Sequence, residues 1–247
     1  MRSLFCFSAA VLLGLAPVAV SAQLTIDRET VVLNPARPGE RSAEIVVRNA
    51  GETGVQASVL LQDWDVDASG ASRWRKAGQV AGSCGDRVSI SPRMLTLAPG
   101  EQRVVRIALK SDAQFDAECW SAAVVQTTGA QRADTTTRST VPLYVTPSGL
   151  AIDGEVSDVV VRRDSLEVTY RNIGKLRTDV VGEVQVRAAN DSLVAVVALD
   201  DATVLTGTTR KWRVPMPKLP AGSYTLYAIA NFGGPALTAA QAALEIR

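Results

Sequence analysis

The chain has 247 residues, with 26 basic and 25 acidic side chains and no histidine. Without histidine, a Ser-His-Asp triad, a Cys-His dyad and a histidine-ligated zinc site are excluded. The balanced charge argues against binding to nucleic acid or to an anionic membrane, because both need a surplus of positive charge on one face.

The first 22 residues predict a secretory signal peptide. Arg2 precedes an apolar stretch, LFCFSAAVLLGLAPVAV, and small residues stand at positions 20 and 22. The stretch is a poor membrane anchor, because a spanning helix needs about 20 apolar residues and this one is broken by Pro17. We expect cleavage after Ala22, which removes one base and no acid and leaves an exported chain of zero net charge, 25 basic against 25 acidic residues.

The cysteine count predicts one disulfide. Cys6 leaves with the signal peptide, so Cys84 and Cys119 remain in an oxidising compartment. Closing a loop of this span stabilises a fold by about 3 to 4 kcal/mol on the chain-entropy account. A redox or metal pair is the poorer alternative, because the spacing is not CxxC and no histidine completes a zinc site.

After the signal peptide, the sequence is typical of an all-β protein. Short stretches rich in Val, Ile, Leu and Thr are separated by Gly, Pro, Asn and Asp; examples are AEIVVRN, VQASVLLQDW, RVVRIALK and CWSAAVVQTT. Removing 22 residues from 247 leaves 225, about twice the ~100 residues of an immunoglobulin-like sandwich. The fold class predicted is therefore all-β, with two immunoglobulin-like β-sandwich domains.

The segment SISPRMLTLAPGEQRVVRIALK, residues 89 to 110, predicts a strand, a tight turn and a second strand. Pro99-Gly100 interrupts an alternation of apolar and polar residues, and the alternation then resumes. The apolar positions on both sides of the turn are expected to face one core: Leu95, Leu97, Val105, Ile107 and Leu109.

An internal similarity supports two domains. EIVVRNAGETGVQASVLL, from Glu44, resembles EVTYRNIGKLRTDVVGEV, from Glu167, and each contains Arg-Asn-x-Gly between two strands. Asparagine and glycine tolerate the backbone of a turn, so we interpret the motif as a structural turn used twice. Tyr224 is expected to anchor a loop as in the tyrosine corner of such sandwiches.

The domain boundary is placed where Pro147, Gly149 and Gly154 interrupt the strand pattern. We expect residues 23–149 to form the N-terminal domain and residues 150–247 the C-terminal domain. A joint this short favours a cleft at a fixed angle between two sandwiches.

One acidic cluster, Asp63, Asp65 and Asp67, lies in the stretch DWDVDASG. Its spacing puts all three carboxylates on one face of a strand. The calcium-loop pattern fails, because Ala68 stands where glycine is required and the closing glutamate is missing. We therefore interpret the cluster as a solvated hairpin end and expect no metal; a carboxylate-dependent hydrolase would have only these three acids. Trp64 is expected to point into the core.

Taken in order, the strands from residue 24 to about residue 150 resemble the N-terminal domain of PapD-like periplasmic pilus-assembly chaperones of the chaperone–usher pathway. The most specific part is P-x-x-x-x-L-x-P-G-x-x-x-x-V-R-I, which begins at Pro92. The resemblance implies a periplasmic, non-enzymatic chaperone without a cofactor. Its partners would be a secreted pilin-like subunit, which receives the final strand of the first domain, and an outer-membrane usher.

The resemblance also implies a basic anchor for the terminal carboxylate of the subunit, formed by an arginine in the first strand and a lysine in the donor strand. Arg28 matches the arginine, and its planar guanidinium suits a carboxylate. The structural alternative is an exposed arginine paired with Asp27 or Glu29. Pro142 replaces the lysine, and Arg138, on the same strand face, is the candidate second cation.

The donor stretch departs from the family, because GAQRADTTTRST is polar where large apolar residues alternate in the family. Two alternatives follow. The protein is a divergent chaperone that contacts its subunit through Val141, Leu143 and Val145, or a relative that has kept the fold and changed its partner. A competing function from another class is a structural or adhesive module of a surface fibre.

Overall fold

The computed structural model describes residues 24–128 and 136–247. The predicted signal peptide and its cleavage site lie outside these residues. The described residues form 17 β-strands and a single 3₁₀ turn at Pro38–Glu40. The strands up to residue 145 are β1 (Leu24–Ile26), β2 (Val31–Leu33), β3 (Ser42–Asn49), β4 (Val55–Val66), β5 (Ser72–Lys76), β6 (Val88–Ser91), β7 (Met94–Leu97), β8 (Gln102–Leu109), β9 (Cys119–Thr128) and β10 (Thr136–Val145). Those that follow are β11 (Gly154–Arg162), β12 (Ser165–Asn172), β13 (Thr178–Ala188), β14 (Leu193–Val204), β15 (Thr209–Pro215), β16 (Gly222–Asn231) and β17 (Thr238–Ile246).

The first ten strands form one sandwich of two sheets. One sheet has the order β1-β3-β8-β6, and the other has the order β2-β10-β9-β4-β5 with β7 also paired to β4. Alternate side chains from both sheets meet in a single apolar core that includes Leu33, Ile45, Leu97, Ile107 and Val125, as expected for strands with one buried face.

The last seven strands form a second sandwich. Its sheets have the orders β11-β12-β15 and β14-β13-β16-β17. Its core is separate from the first and contains Leu166, Tyr170, Trp212 and Leu226 among its buried side chains. The predicted all-β class with two sandwiches is therefore confirmed. No helix in the described part of the chain is long and apolar enough to cross a membrane.

The segment around Pro99-Gly100 turns as predicted. Glu101 N–H donates to Ala98 C=O at 3.0 Å, and Gly100 has φ of +74°, as a type II turn requires at its third position. The five predicted core side chains are all buried. The two strands do not pair with each other, however, because β7 lies in the sheet of β4 and β8 lies in the sheet of β3.

The repeated Arg-Asn-x-Gly motif forms the same turn in both sandwiches, held by the side chain of a buried asparagine. We call this asparagine-centred turn the plug. Asn49 Nδ2 donates to Thr53 C=O at 2.7 Å, and Asn172 Nδ2 donates to Leu176 C=O at 2.8 Å. Each asparagine also accepts a hydrogen bond from the N–H of the glycine two residues later, at 3.0 Å in both cases. The motif is a structural turn used twice, as predicted.

Cys84 and Cys119 form the predicted disulfide, with 5.2 Å between their Cα atoms. The bridge ties the connection between β5 and β6, residues 77–87, to the start of β9. Two backbone bonds reinforce it, from Cys84 N–H to Trp120 C=O at 3.0 Å and from Trp120 N–H to Gly82 C=O at 2.8 Å. This connection therefore lies beside the start of β9, and its Val80 packs against a cluster of apolar side chains on the outer face of the sheet.

Tyr224 anchors a loop as expected. Its hydroxyl donates to the C=O of Pro220, four residues upstream, at 3.0 Å. The arrangement is the tyrosine corner found in sandwiches of this class.

Candidate functional site

The final strand of the first sandwich, β10, is only partly covered along one edge. On one side it pairs with β9 over its whole length, from Thr136 to Val145. On the other side β2 pairs with its last three residues only, Leu143 to Val145. Among the described residues no strand lies beside Thr136–Pro142. We call these seven residues the open segment.

The direction of the backbone groups in the open segment follows from one hydrogen bond. Thr146 N–H donates to Leu33 C=O, so the N–H of this even-numbered residue points away from β9. Peptide groups alternate along a strand and the β9–β10 register has no bulge. The backbone N–H and C=O groups of Thr136, Arg138 and Thr140, and the C=O of Pro142, therefore point toward the free edge. Three of these four residues can donate an N–H, because proline has none.

The side chains of Val141, Leu143 and Val145 project from the inner face of the sheet. They are at most 1% exposed and belong to the core of the first sandwich. The predicted subunit contacts of these three residues could therefore involve only their backbone atoms, because their side chains are out of reach while the sandwich is folded. The alternation that makes the strand apolar serves its own core.

Arg28 lies in the connection between β1 and β2 and is exposed. Among the described residues it makes no ion pair, and the carboxylate of Asp27 instead accepts Val46 N–H at 2.7 Å. β2 runs parallel to β10, so the chain enters β2 from the side of the open segment. The residue directly before Val31, and thus nearest in register to Pro142, is Thr30.

Arg138 is exposed but engaged. Its guanidinium donates to the Gln62 side chain and lies 4.4 Å from the centre of the Trp74 ring. It therefore extends across β9 to β4 and β5, on the face of the sheet opposite the core, and makes a cation–π contact. Arg138 and Arg28 share no hydrogen-bond partner among the described residues.

The ring of Trp74 lies 6.0 Å from that of Trp64, and Trp64 belongs to a second apolar cluster on this outer face. Trp64 packs with Trp120, Ala122, Val124 and, from the second sandwich, Leu205. The prediction that Trp64 is buried holds, but it faces away from the core of its own sandwich. The second sandwich and residues 77–87 provide the cover, neither of which the local sequence around Trp64 reveals.

The three carboxylates of the acidic cluster lie in different environments. Asp63 is fully buried, where it accepts the Ser121 hydroxyl at 2.7 Å. Asp65 and Asp67 instead pair with Arg75 and Arg73 on β5, at 3.1 Å and 3.3 Å. The interpretation as a solvated hairpin end is thus wrong for Asp63.

No group of three potential metal ligands is present in the described residues. A hydrogen bond from the Ser69 hydroxyl lowers the pKa of Asp67, helped by the backbone N–H groups of Ala71 and Ser69 and by the charge of Arg73. The acids around the β4–β5 turn are therefore used to hold that turn together.

The junction between the two sandwiches is fixed by Glu118, which sequence reasoning missed. Its carboxylate is 1% exposed and pairs with the Arg177 guanidinium. It also accepts the Thr146 hydroxyl at 2.6 Å and the Arg177 backbone N–H at 2.8 Å. Because three donors from two sandwiches converge on one carboxylate, the buried charge is well compensated. The only sequence signal is an acid directly before a cysteine.

Aromatic contacts continue from this junction across the sheet. Arg177 lies 3.9 Å from the Tyr144 ring centre, and Tyr144 meets Trp64 edge-to-face at 6.1 Å. Burial raises the pKa of the Tyr144 phenol, and the charge of Arg177 opposes the shift. A cleft between the sandwiches is lined by Trp64, Tyr144, Leu205 and Arg210, and Lys211 N–H closes one side by donating to Ala68 C=O at 2.6 Å.

Comparisons with known proteins identify this architecture. No family model matches the chain, and no curated protein sequence matches it. Among solved structures, a chain of the CsuC–CsuE chaperone–tip adhesion subunit pre-assembly complex, from the archaic chaperone–usher Csu pili of Acinetobacter baumannii, is 13% identical with a TM-score of 0.54. The match covers 89% of this chain and 98% of that one.

Two further structures agree. The class 5 fimbriae chaperone CfaA is 9% identical over 91% of this chain and 100% of its own, with a TM-score of 0.55. A chain of a chaperone–tip adhesin complex of CFA/I fimbriae biogenesis is 11% identical over 90% and 98%, with a TM-score of 0.57. The chain therefore has, at very low sequence identity, the two-sandwich fold of PapD-like pilus-assembly chaperones.

Proposed function

We propose that this protein is a periplasmic, non-enzymatic chaperone that binds a pilus or surface-fibre subunit by strand addition to the open segment. The observation that carries the proposal is the uncovered edge of β10 between Thr136 and Pro142. A strand edge of this kind supplies main-chain hydrogen bonds to an extended guest strand. The likeness in fold to pilus chaperones supports the same role.

Main-chain bonding carries most of the affinity in this proposal. The open segment has threonine, serine and arginine side chains in place of large apolar ones. Each apolar side chain that is missing forgoes about 1.5 to 3 kcal/mol of burial. The outward N–H groups of Thr136, Arg138 and Thr140 are therefore the main attachment points.

Arg28 supplies the charge in the proposed complex. It is exposed, makes no ion pair with a described residue and lies where the chain approaches the open segment. A guanidinium can bond both oxygens of a terminal carboxylate. We assign it to the carboxylate of the bound subunit, with Arg138 held back on the sheet by Trp74.

The decisive experiment removes one outward N–H. Thr140→Pro places a proline at an edge position equivalent to that of Pro142, two residues earlier in the strand. Because the sandwich already accommodates Pro142, the variant should fold. The complex with a pilin-like subunit encoded beside this gene should weaken about 5- to 150-fold, because an unmatched backbone acceptor in the guest costs about 1 to 3 kcal/mol. Thr140→Val keeps the N–H and should bind like the parent in titration calorimetry. Equal affinity for all three proteins would remove the strand-addition proposal.

The charge assignment has its own test. Arg28→Ala should weaken the same complex by about 10- to 150-fold, as expected for a charge-assisted hydrogen bond. Arg48→Ala is the matched control, since Arg48 is also an exposed arginine of the first sandwich without an ion pair among the described residues. A loss of equal size in both variants would show a general charge effect and contradict the assignment.

A further inference from the structure

The turn between β4 and β5, residues 67–71, is folded around one side chain. The carboxylate of Asp67 accepts the N–H of Ser69 at 2.9 Å and the N–H of Ala71 at 3.2 Å, and its C=O accepts Gly70 N–H at 2.9 Å. Bonds of this kind fix the backbone of a turn. Among the described residues, the C=O groups of Ala68 and Ser69 accept no hydrogen bond from within the turn. Both are therefore available to another part of the chain.

The second sandwich supplies a donor to each of these two carbonyl groups. Lys211 N–H donates to Ala68 C=O at 2.6 Å, and the Arg210 guanidinium donates to Ser69 C=O. Arg210 is half-buried and makes no ion pair with a described residue, and its guanidinium carbon lies 5.7 Å from the centre of the Trp212 ring. The bond to Ser69 therefore compensates a cation that has lost part of its hydration.

Gly70 makes this close approach possible. Its φ is +90°, a backbone conformation that favours glycine. A Cβ atom at this position would also overlap the guanidinium of Arg210. Any other residue would thus both strain the turn and displace the arginine, so the turn and the second sandwich fit each other at this point.

This contact and the Glu118–Arg177 pair hold the second sandwich at two different places. Arg177 directly precedes β13, in the four-stranded sheet, whereas Arg210 lies in β15, in the three-stranded sheet. Gly70 and Arg210 line the same cleft as Tyr144, the residue whose ring lies against Arg177. A single attachment leaves one body free to rotate about it. A second attachment, made to the other sheet, opposes that rotation.

We propose that the β4–β5 turn, held by Arg210 and Lys211, is a latch between the two sandwiches. With the Glu118–Arg177 pair as the pivot, the latch fixes the angle between the sandwiches and thereby the width of the cleft. The cleft then has one width before any partner arrives, and binding requires no closing step, which lowers the ordering cost of binding. The proposal stands on contacts within the free chain and does not depend on the proposed function.

The backbone amide of Lys211 reports directly on the latch. Its N–H donates to the first sandwich, whereas the N–H of Trp212, by the alternation along a strand, points toward β12. Arg210→Ala should lower the hydrogen-exchange protection of the Lys211 amide about 10- to 150-fold, as expected for the loss of a hydrogen bond from a charged group. The protection of the Trp212 amide should not change, because β15 remains paired.

Two further variants make the test specific. Gly70→Ala, placed in the other sandwich, should lower the protection of the Lys211 amide in the same way, because its Cβ atom displaces the guanidinium. Arg213→Ala is the matched control, since Arg213 lies on the same strand but pairs with Glu167 at 3.4 Å. It should leave the Lys211 amide as protected as in the parent.

Residual dipolar couplings of the same samples measure the angle. In the parent, the couplings of both sandwiches should fit a single alignment tensor. In Arg210→Ala, the couplings of the second sandwich should shrink relative to those of the first, because the two bodies then rotate about the Glu118–Arg177 pivot.

Four results would overturn the proposal. A Lys211 amide that exchanges in the parent as fast as an exposed amide would show that the latch is open in solution. Unchanged protection of this amide in Arg210→Ala would show that the arginine does not hold the turn. Equal losses at Lys211 and Trp212 would show that β15 itself unfolds. Couplings that still fit one tensor in Arg210→Ala would show that the latch does not fix the angle. Subunit binding is measured in none of these experiments, so the two proposals are tested separately.

Discussion

The larger sheets of the two sandwiches share an arrangement of four strands, two hairpins side by side, but differ in what surrounds the last strand. In the order β10-β9-β4-β5, the final strand is charged and the outer face is covered by residues 77–87 and by Leu205. In the equivalent order β17-β16-β13-β14, the final strand is apolar and exposed. The shared four-strand arrangement is thus combined with a covered outer face in the first domain and with an exposed apolar edge strand in the second.

The largest expected effect concerns the connection that closes the first sheet. Replacing Cys84 and Cys119 together by alanine should lower the free energy of unfolding of the first sandwich by about 3 to 4 kcal/mol. Hydrogen exchange should rise in residues 77–128, whereas strands β11–β17, which contain no disulfide, should keep their protection. A loss of protection spread equally over both sandwiches would show that the domains unfold as one unit.

The buried asparagines of the repeated motif, Asn49 and Asn172, should contribute equally to the stability of the two domains. Asn49→Ala and Asn172→Ala should each cost about 2 to 3 kcal/mol, because each leaves buried carbonyl groups without a donor. The control is Asn231→Ala. This residue also accepts the N–H of the glycine two positions later, at 3.0 Å, but it is exposed. Chemical denaturation should show only a small loss for the control, and a cost confined to Asn49 would refute the equivalence of the two plugs.

Removing the charges from β5 should open the edge of the first sheet to pairing with a second chain. In Arg73→Val with Arg75→Val, β5 loses two exposed ion pairs worth about 0.2 to 1 kcal/mol each and gains an apolar edge like that of β14. We expect the double variant to self-associate more than the parent in sedimentation velocity, because charges on an edge strand oppose pairing with a second chain. If the double variant sediments like the parent, charge on the edge strand is not what keeps the first sheet closed.

The smallest effect is an alkaline loss of stability. Burial raises the pKa of Tyr144 in the first sandwich and of Tyr170 in the second. The unfolded chain loses these protons first, near pH 10, so their contribution is complete below that pH and declines as pH rises toward the folded-state values. Melting temperatures measured above pH 10 should fall less steeply in Tyr144→Phe and Tyr170→Phe than in the parent.

Much of the fold follows from the sequence because its information is local. Alternation assigned Leu95, Leu97 and Ile107 to the core, and Asn-x-Gly marked both plugs. The site was harder to predict, because its properties depend on residues distant in sequence. Asp63 is buried because Ser121 is there to donate to it, and Trp64 is covered by Leu205. Val141 has the alternation of a binding strand, yet the same pattern arises when a strand fills its own core.

Pro142 limits what the edge of β10 can hold. It has no N–H to donate, and it directly precedes Leu143, where β2 begins to pair with β10. A guest strand can therefore accept hydrogen bonds from backbone N–H groups only between Thr136 and Thr140. This stretch is about 13 Å long at 3.3 Å per residue. In the proposed complex, Pro142 and β2 therefore limit how far a guest strand can extend along β10 in the direction of Leu143.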